Sequence, residues 1–195
     1  MTRLLVICFI AGALGACVSL PGSETPVSDR YLLQGPTASC QEANRQTINL
    51  SVSGLSAGLD NNRVARRDAA SGEMTYLKSV NWIAEAGPMM EQRLAADLEC
   101  AGYTTITSHH RSLGNNQLVC EVRAFNLVSD AAGESAEVAL SCLYFRAGDT
   151  EGQGLRHSAT RTLIDWSASS AITAMSNAYQ QVLADLLQDL AAGAG

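Results

Sequence analysis

The sequence predicts an α+β domain in which two amphipathic helices pack on one face of a mainly antiparallel sheet. Three observations carry that expectation. Apolar and polar residues alternate from Thr47 to Val52, with Ile48, Leu50 and Val52 set against Asn49, Ser51 and Ser53, the period of a half-buried strand. Met90, Leu94, Leu98 and Ala101 recur at helical spacing, as do Ile172, Met175, Tyr179, Val182 and Leu186. Strand-like runs at Gln117–Val128 and Glu137–Arg146 flank Asp130-Ala131-Ala132-Gly133-Glu134, which reads as a hairpin.

The remaining elements follow in order. Val18 to Asp29 holds two prolines, a glycine and several hydroxyl residues, the composition of a flexible tether. Tyr31-Leu32-Leu33 reads as a short strand ended by Gln34-Gly35-Pro36. Gly54, Gly58 and Asp60-Asn61-Asn62 break the strand at Thr47. Arg63–Arg67 and Met74–Trp82 look like two further strands around a turn at Ser71-Gly72. Pro88 suits the first position of a helix and Gly102 its stop. Strands are expected again at Tyr103–Ser108 and Arg156–Ile164. Ser167 can then cap the closing helix, whose stripe Leu183 and Leu190 widen. Ala191 to Gly195 reads as a frayed end.

The chain begins with one basic residue, Arg3, an apolar run from Leu4 to Leu14, and then Leu14-Gly15-Ala16-Cys17. A basic start, a short apolar stretch and small residues before a cut site make an export signal. The run is too short for the ~20 apolar residues that span a bilayer. A cysteine directly after Leu-Gly-Ala is the pattern of a bacterial lipoprotein signal, with Cys17 as the lipid-attachment residue and first residue of the mature chain. The residue after it is Val18 rather than aspartate, which in the usual Gram-negative sorting scheme directs a lipoprotein to the outer membrane. The expected organisation is a signal peptide over 1–16, a lipidated cysteine and tether over 17–30, one domain over 31–190 and a tail over 191–195.

Charge narrows the partners. Beyond residue 16 there are 12 basic and 19 acidic residues, a net charge of −7. That balance argues against nucleic acid, whose binding rests on Lys and Arg contacts to phosphates. Lys78 is the sole lysine, so no polybasic stretch could hold a membrane. Four cysteines remain after Cys8 and Cys17: Cys40, Cys100, Cys120 and Cys142. An even number in an exported chain favours disulfides over free thiols, and three connectivities are open. The hairpin would bring Cys120 beside Cys142, which leaves Cys40 for Cys100. No C-x-x-C spacing suggests a redox or zinc site.

In this order the segments resemble the ABC-type transport auxiliary lipoproteins. Tyr31-Leu32-Leu33 stands where that family opens after its tether. Gly58-Leu59-Asp60-Asn61-Asn62-Arg63-Val64-Ala65-Arg66-Arg67 is similar to its G-L-D-x-x-R-I-x-x-R segment. Tyr76 through Trp82, Pro88-Met89-Met90 with Leu94 and Leu98, Glu121-Val122-Arg123-Ala124-Phe125, and Ala174-Met175 through Leu186 complete the likeness. The four mature cysteines are not part of the pattern, and its acidic residue before the helix proline is displaced to Glu85. The resemblance implies a non-enzymatic, outer-membrane lipoprotein facing the periplasm. It would work with an MCE-domain protein and the ABC permease and ATPase of a lipid transport system, perform no cofactor chemistry, and assemble as a ring of copies. A general docking module for envelope or cell-wall assembly is the competing reading.

No catalytic constellation stands out. His109 and His110 are adjacent, so on a strand they would point apart and make a poor ligand pair with His157. No G-x-S-x-G turn is present, and Glu151-Gly152-Gln153-Gly154 lacks the lysine of a phosphate-binding loop. Arg63, Arg66 and Arg67 form the one basic cluster. They could contact an acidic partner or lipid headgroups, or could simply guard an exposed edge strand against self-pairing.

Overall fold

The computed structural model describes residues 28–35, 40, 46–55, 61–107 and 114–193. In chain order these form β1 (Asp29–Tyr31), β2 (Thr47–Leu55), β3 (Arg63–Asp68), β4 (Met74–Trp82), α1 (Ala86–Cys100), β5 (Thr104–Thr107), β6 (Asn116–Asp130), β7 (Gly133–Phe145), β8 (Gln153–Thr162) and α2 (Ala168–Gly193). Cys17, the expected signal and the expected tether up to residue 27 lie outside the described residues, as do His109 and His110.

Strand β6 organises the sheet. Along one side it pairs with β7, which pairs in turn with β8, both antiparallel. Along its other side β2 lies parallel to the first half and β3 parallel to the last residues. From β2 the sheet extends to β5, and from β3 through β4 to β1. The fold is α+β as expected, and its longest ladders are antiparallel, but the sheet is mixed. The pairings β1–β4, β2–β5, β2–β6 and β3–β6 are all parallel. Parallel partners are joined by long crossovers, so no local turn signature announces them.

Alternation sets the inner face. Val138, Leu140, Cys142 and Tyr144 of β7 and Leu118, Cys120 and Val122 of β6 are buried toward the helices. Helix α1 packs on β2 and β5, and α2 on β6, β7 and β8. Trp82 stacks on Phe125 at 5.0 Å between ring centroids, and both are fully buried. The whole expected stripe of α2, from Ile172 to Leu190, lies in this core. Each such side chain contributes about 1.5–3 kcal/mol by leaving water.

The termini of the helices follow from specific bonds. Ser167 Oγ accepts from Ser170 N at 3.1 Å, the N-cap geometry expected of it. Replacing Ser167 with alanine should cost about 1 kcal/mol, read as a lower midpoint in urea unfolding. At the end of α1, Gly102 N donates to Glu99 O and Tyr103 N to Leu98 O, closing a Schellman motif around Gly102 at φ +92°.

Several boundaries differ from expectation: β2 runs through Gly54 to Leu55, β7 begins at Gly133 rather than Glu137, and β8 spans Gln153–Thr162 rather than Arg156–Ile164. Helix α1 begins at Ala86, two residues before Pro88, with Glu85 at the N-cap. Amides in the first turn have no intrahelical acceptor, so a proline is tolerated at its third position as well as its first. The first strand is Asp29–Tyr31; Leu33 is fully buried but outside any strand. Helix α2 runs to Gly193, so the segment 191–195 expected as a tail is helical over its first three residues.

Candidate functional site

The three arginines do not form one patch. Strand β3 is flanked by β4 and β6, so it is not the edge strand the sequence suggested. Alternation along β3 sends Arg66 to the helix face and Arg63 and Arg67 to the other. Arg66 Nε is paired with Glu134 Oε1 and its Nη2 donates to Ser129 Oγ at 3.1 Å. Arg67 Nη2 lies 2.9 Å from Glu137 Oε2, and the Arg63 guanidinium sits 4.2 Å over the Tyr76 ring. Each cation is thus engaged within the chain.

The cysteines are joined Cys40 to Cys100 and Cys120 to Cys142. Cys120 and Cys142 face each other across β6 and β7 and are buried in the core. The bond from Cys40 instead fastens the N-terminal arm to the last residue of α1.

That arm crosses a buried polar knot which the sequence did not announce. Asp97 of α1, almost fully buried, is paired with Arg93 one turn earlier, with Arg93 Nε donating at 2.9 Å. The Tyr179 hydroxyl of α2 donates to Asp97 Oδ2 at 2.7 Å. Over this pair run Leu33, Gln34 and Gly35: Gln34 N donates to Ser176 Oγ at 3.2 Å, and Gln180 Nε2 to Gly35 O at 3.0 Å. A Cβ on Gly35 would lie 1.7 Å from Arg93 Nη2, so only glycine permits this approach.

Burial, and then the charge of Asp97, push the Tyr179 phenol well above its ordinary value of 10.0. Folding therefore favours the neutral phenol. Its contribution is whole below pH 10 and is lost as pH rises through the folded value. In an alkaline titration followed by phenolate absorbance, Tyr179 should ionise only together with unfolding, and Tyr179→Phe should remove one tyrosine from that late step.

His157 lies on the helix face of β8, with Nε2 3.2 Å from Asp189 Oδ2 on α2. Among the described residues no group of three or more His, Cys, Asp or Glu is arranged to hold a metal ion. No described helix is long and apolar enough to cross a membrane.

One exposed feature stands apart. Between β8 and α2, Ile164 is 92% and Trp166 73% exposed, whereas Trp82 is 1% exposed. The loop that displays them is tied down. Ile164 N and Asp165 N both donate to Ser170 Oγ, at 3.0 and 3.2 Å, and Ser167 N donates to Asp165 Oδ1 at 2.8 Å. The Ser167 hydroxyl also donates to Asp165 Oδ1, and this bond, then the backbone one, holds the Asp165 carboxyl below its ordinary range. The signal in the sequence was two large apolar residues flanking an aspartate immediately before a helix cap.

No family model matches the sequence, and no curated protein matches it. Solved structures do. One, described only as an uncharacterized protein, is 13% identical with a TM-score of 0.63, covering 84% of this chain and 99% of its own. Another, protein XCC0632 from Xanthomonas campestris, of the family DUF330, is 17% identical with a TM-score of 0.60, covering 82% of this chain and 90% of its own. At such identities the likeness establishes a shared α+β fold across nearly the whole domain.

Proposed function

We propose that this chain is a lipid-anchored, non-catalytic accessory of an intermembrane lipid transport system, holding a periplasmic MCE assembly at the outer membrane. The observation that carries the reading is the lipoprotein motif Leu14-Gly15-Ala16-Cys17 placed ahead of a domain with the ordered segments from Tyr31 to Leu186. The fold shared with a DUF330 protein supports it. In this reading Cys17 carries the acyl groups. Two or more chains make anchoring stable, at ~0.8 kcal/mol per buried methylene. The domain then docks the MCE-domain protein, whose ABC permease and ATPase stand at the inner membrane, and copies of the chain associate around it. Two measurements test this. Metabolic labelling with a clickable palmitate should mark the wild type and spare Cys17→Ser. Pull-down of the acylated protein from envelope extracts should recover an MCE-domain protein, and repeated recovery without one would refute the assignment.

A further inference from the structure

We propose that the Ile164-Asp165-Trp166 loop is a membrane-contact tip that seats on a zwitterionic lipid surface. The proposal rests on the reading of Cys17 as the lipid attachment.

Position is the first argument. Leu163 N donates to Glu134 O, and the Arg66 guanidinium lies 5.4 Å from the Trp166 ring centroid. Both contacts place the loop at the end of the sheet made by the β6–β7 hairpin and the turn after β3. Strand β1 runs parallel to β4, from Asp29 beside Val80 to Tyr31 beside Trp82. Strand β4 in turn starts at Met74 beside Arg67, near that same hairpin end. The chain before Asp29 therefore enters the sheet from the hairpin side. Asp29 lies near the level of Arg63, and β3 continues to Asp68, so the hairpin end is roughly 17 Å away at strand spacing. The ten residues between Cys17 and Ser28 span at most about 35 Å. The opposite end, at Asn116, is roughly 27 Å the other way, and the chain would have to double back to reach it. An anchor at Cys17 thus holds the hairpin end toward the bilayer.

Chemistry is the second. A residue just before an N-cap commonly packs inward against the fourth helical residue. Here that residue is Ala171, which is buried, while Trp166 stays out in solvent. Tryptophan with one apolar neighbour suits the boundary between headgroups and chains, where its ring is buried and its N–H stays wet. The loop's hydrogen bonds fix both side chains outward in advance, so little ordering is needed on contact.

Charge selects the lipid. Asp68, Asp130 and Asp165 share this end, each turned onto backbone N–H groups: Ala70 and Ser71, Ala132 and Gly133, and Ser167. Arg66, beside the Trp166 ring, is matched by Glu134, while Arg161, which lines a pocket with Ile164 and Asp165, donates to Thr160 O and Gln181 Oε1. Among the described residues, one arginine without an acidic partner stands here against the three carboxylates, so the tip favours zwitterionic over anionic headgroups.

The test uses the two tryptophans as reporter and control. The chain from Cys17 onward, acylated or coupled through Cys17 to a maleimide lipid, is placed on phosphatidylcholine vesicles with brominated acyl chains. Emission from Trp166 should shift to the blue and be quenched, and Trp166→Phe should abolish the quenched component while buried Trp82 remains. Mass analysis reports acylation of Cys17 separately, so a bare cysteine refutes the lipoprotein reading while the maleimide-coupled chain still judges the tip. Unquenched, red emission on the vesicles overturns the proposal. So does blue emission before vesicles are added, if Ile164→Ser with Trp166→Ser lowers the mass in solution, because a second copy would then cover the loop. Stronger quenching in phosphatidylglycerol vesicles overturns the headgroup assignment.

Discussion

Changing Cys40 and Cys100 together to serine should destabilise the domain by about 4 kcal/mol, the loop-closure entropy that a bond over this separation removes from the unfolded chain. The loop it closes holds β2, β3, β4 and α1, whose parallel pairings are otherwise made only through long crossovers. The midpoint of thermal unfolding should fall by roughly 8–16 °C, taking 2–4 °C per kcal/mol for a domain of this size. The bond between Cys120 and Cys142 spans 22 residues, and the β6–β7 ladder already closes that loop in the folded hairpin. Its entropy is smaller, about 3 kcal/mol, and the pair must be changed to alanine because a serine hydroxyl there would be buried in the core. The two bonds also differ in access. Cys40 is exposed, Cys120 and Cys142 are not. Mild reductant should open the first bond and leave the second, as mass mapping after alkylation would show. Loss of the hairpin bond first would contradict this account.

What could be read in advance, and what could not, divides by the range of the interaction. Ile48 and Leu50, the stripe from Ile172 to Leu190, and the Ser167 cap are local patterns with periods of 2 or 3.6, and the structure reproduces them. Helix α1 was legible in its buried face but not in its start, because a proline is tolerated anywhere in the first turn. Arg63, Arg66 and Arg67 looked like one cluster because they are close in sequence; the pleat separates them, and β6 covers the side taken for an edge. In the knot, Arg93 and Asp97 stand at i,i+4 spacing, but nothing in the sequence joins that pair to Tyr179. Asp97 occupies a core-facing position of α1 where a carboxylate would ordinarily be costly, and its partner lies 82 residues away. The exposure of Trp166 was hidden for the opposite reason. An aromatic beside a helix cap ordinarily packs inward, so the Ile164-Asp165-Trp166 pattern marked the loop without saying that its side chains stay out.

The knot bears most directly on how the arm is held. Asp97→Ala should cost about 3 kcal/mol, the lower end of the range for breaking a buried pair, since Arg93 is a quarter exposed and can turn to water. The Tyr179 hydroxyl cannot, and would be left without its acceptor in a fully buried position. Tyr179→Phe keeps the pair of Asp97 with Arg93 and should cost about 1 kcal/mol. If the knot joins the helices as argued, the double change should cost less than the sum of the two, because each single change breaks the same bond. The arm should respond as well. With Asp97 gone, the guanidinium that fills the space beside Gly35 loses the carboxylate that holds it there, and the packing of the arm against it loosens. Gln34 N, which donates to Ser176, should then exchange its hydrogen faster than in the parent protein under native conditions. Gly35→Ala should produce the same faster exchange from the other side, by pressing a Cβ into Arg93. Unchanged exchange at Gln34 in both variants would mean that the bond from Cys40 to Cys100 alone holds the arm.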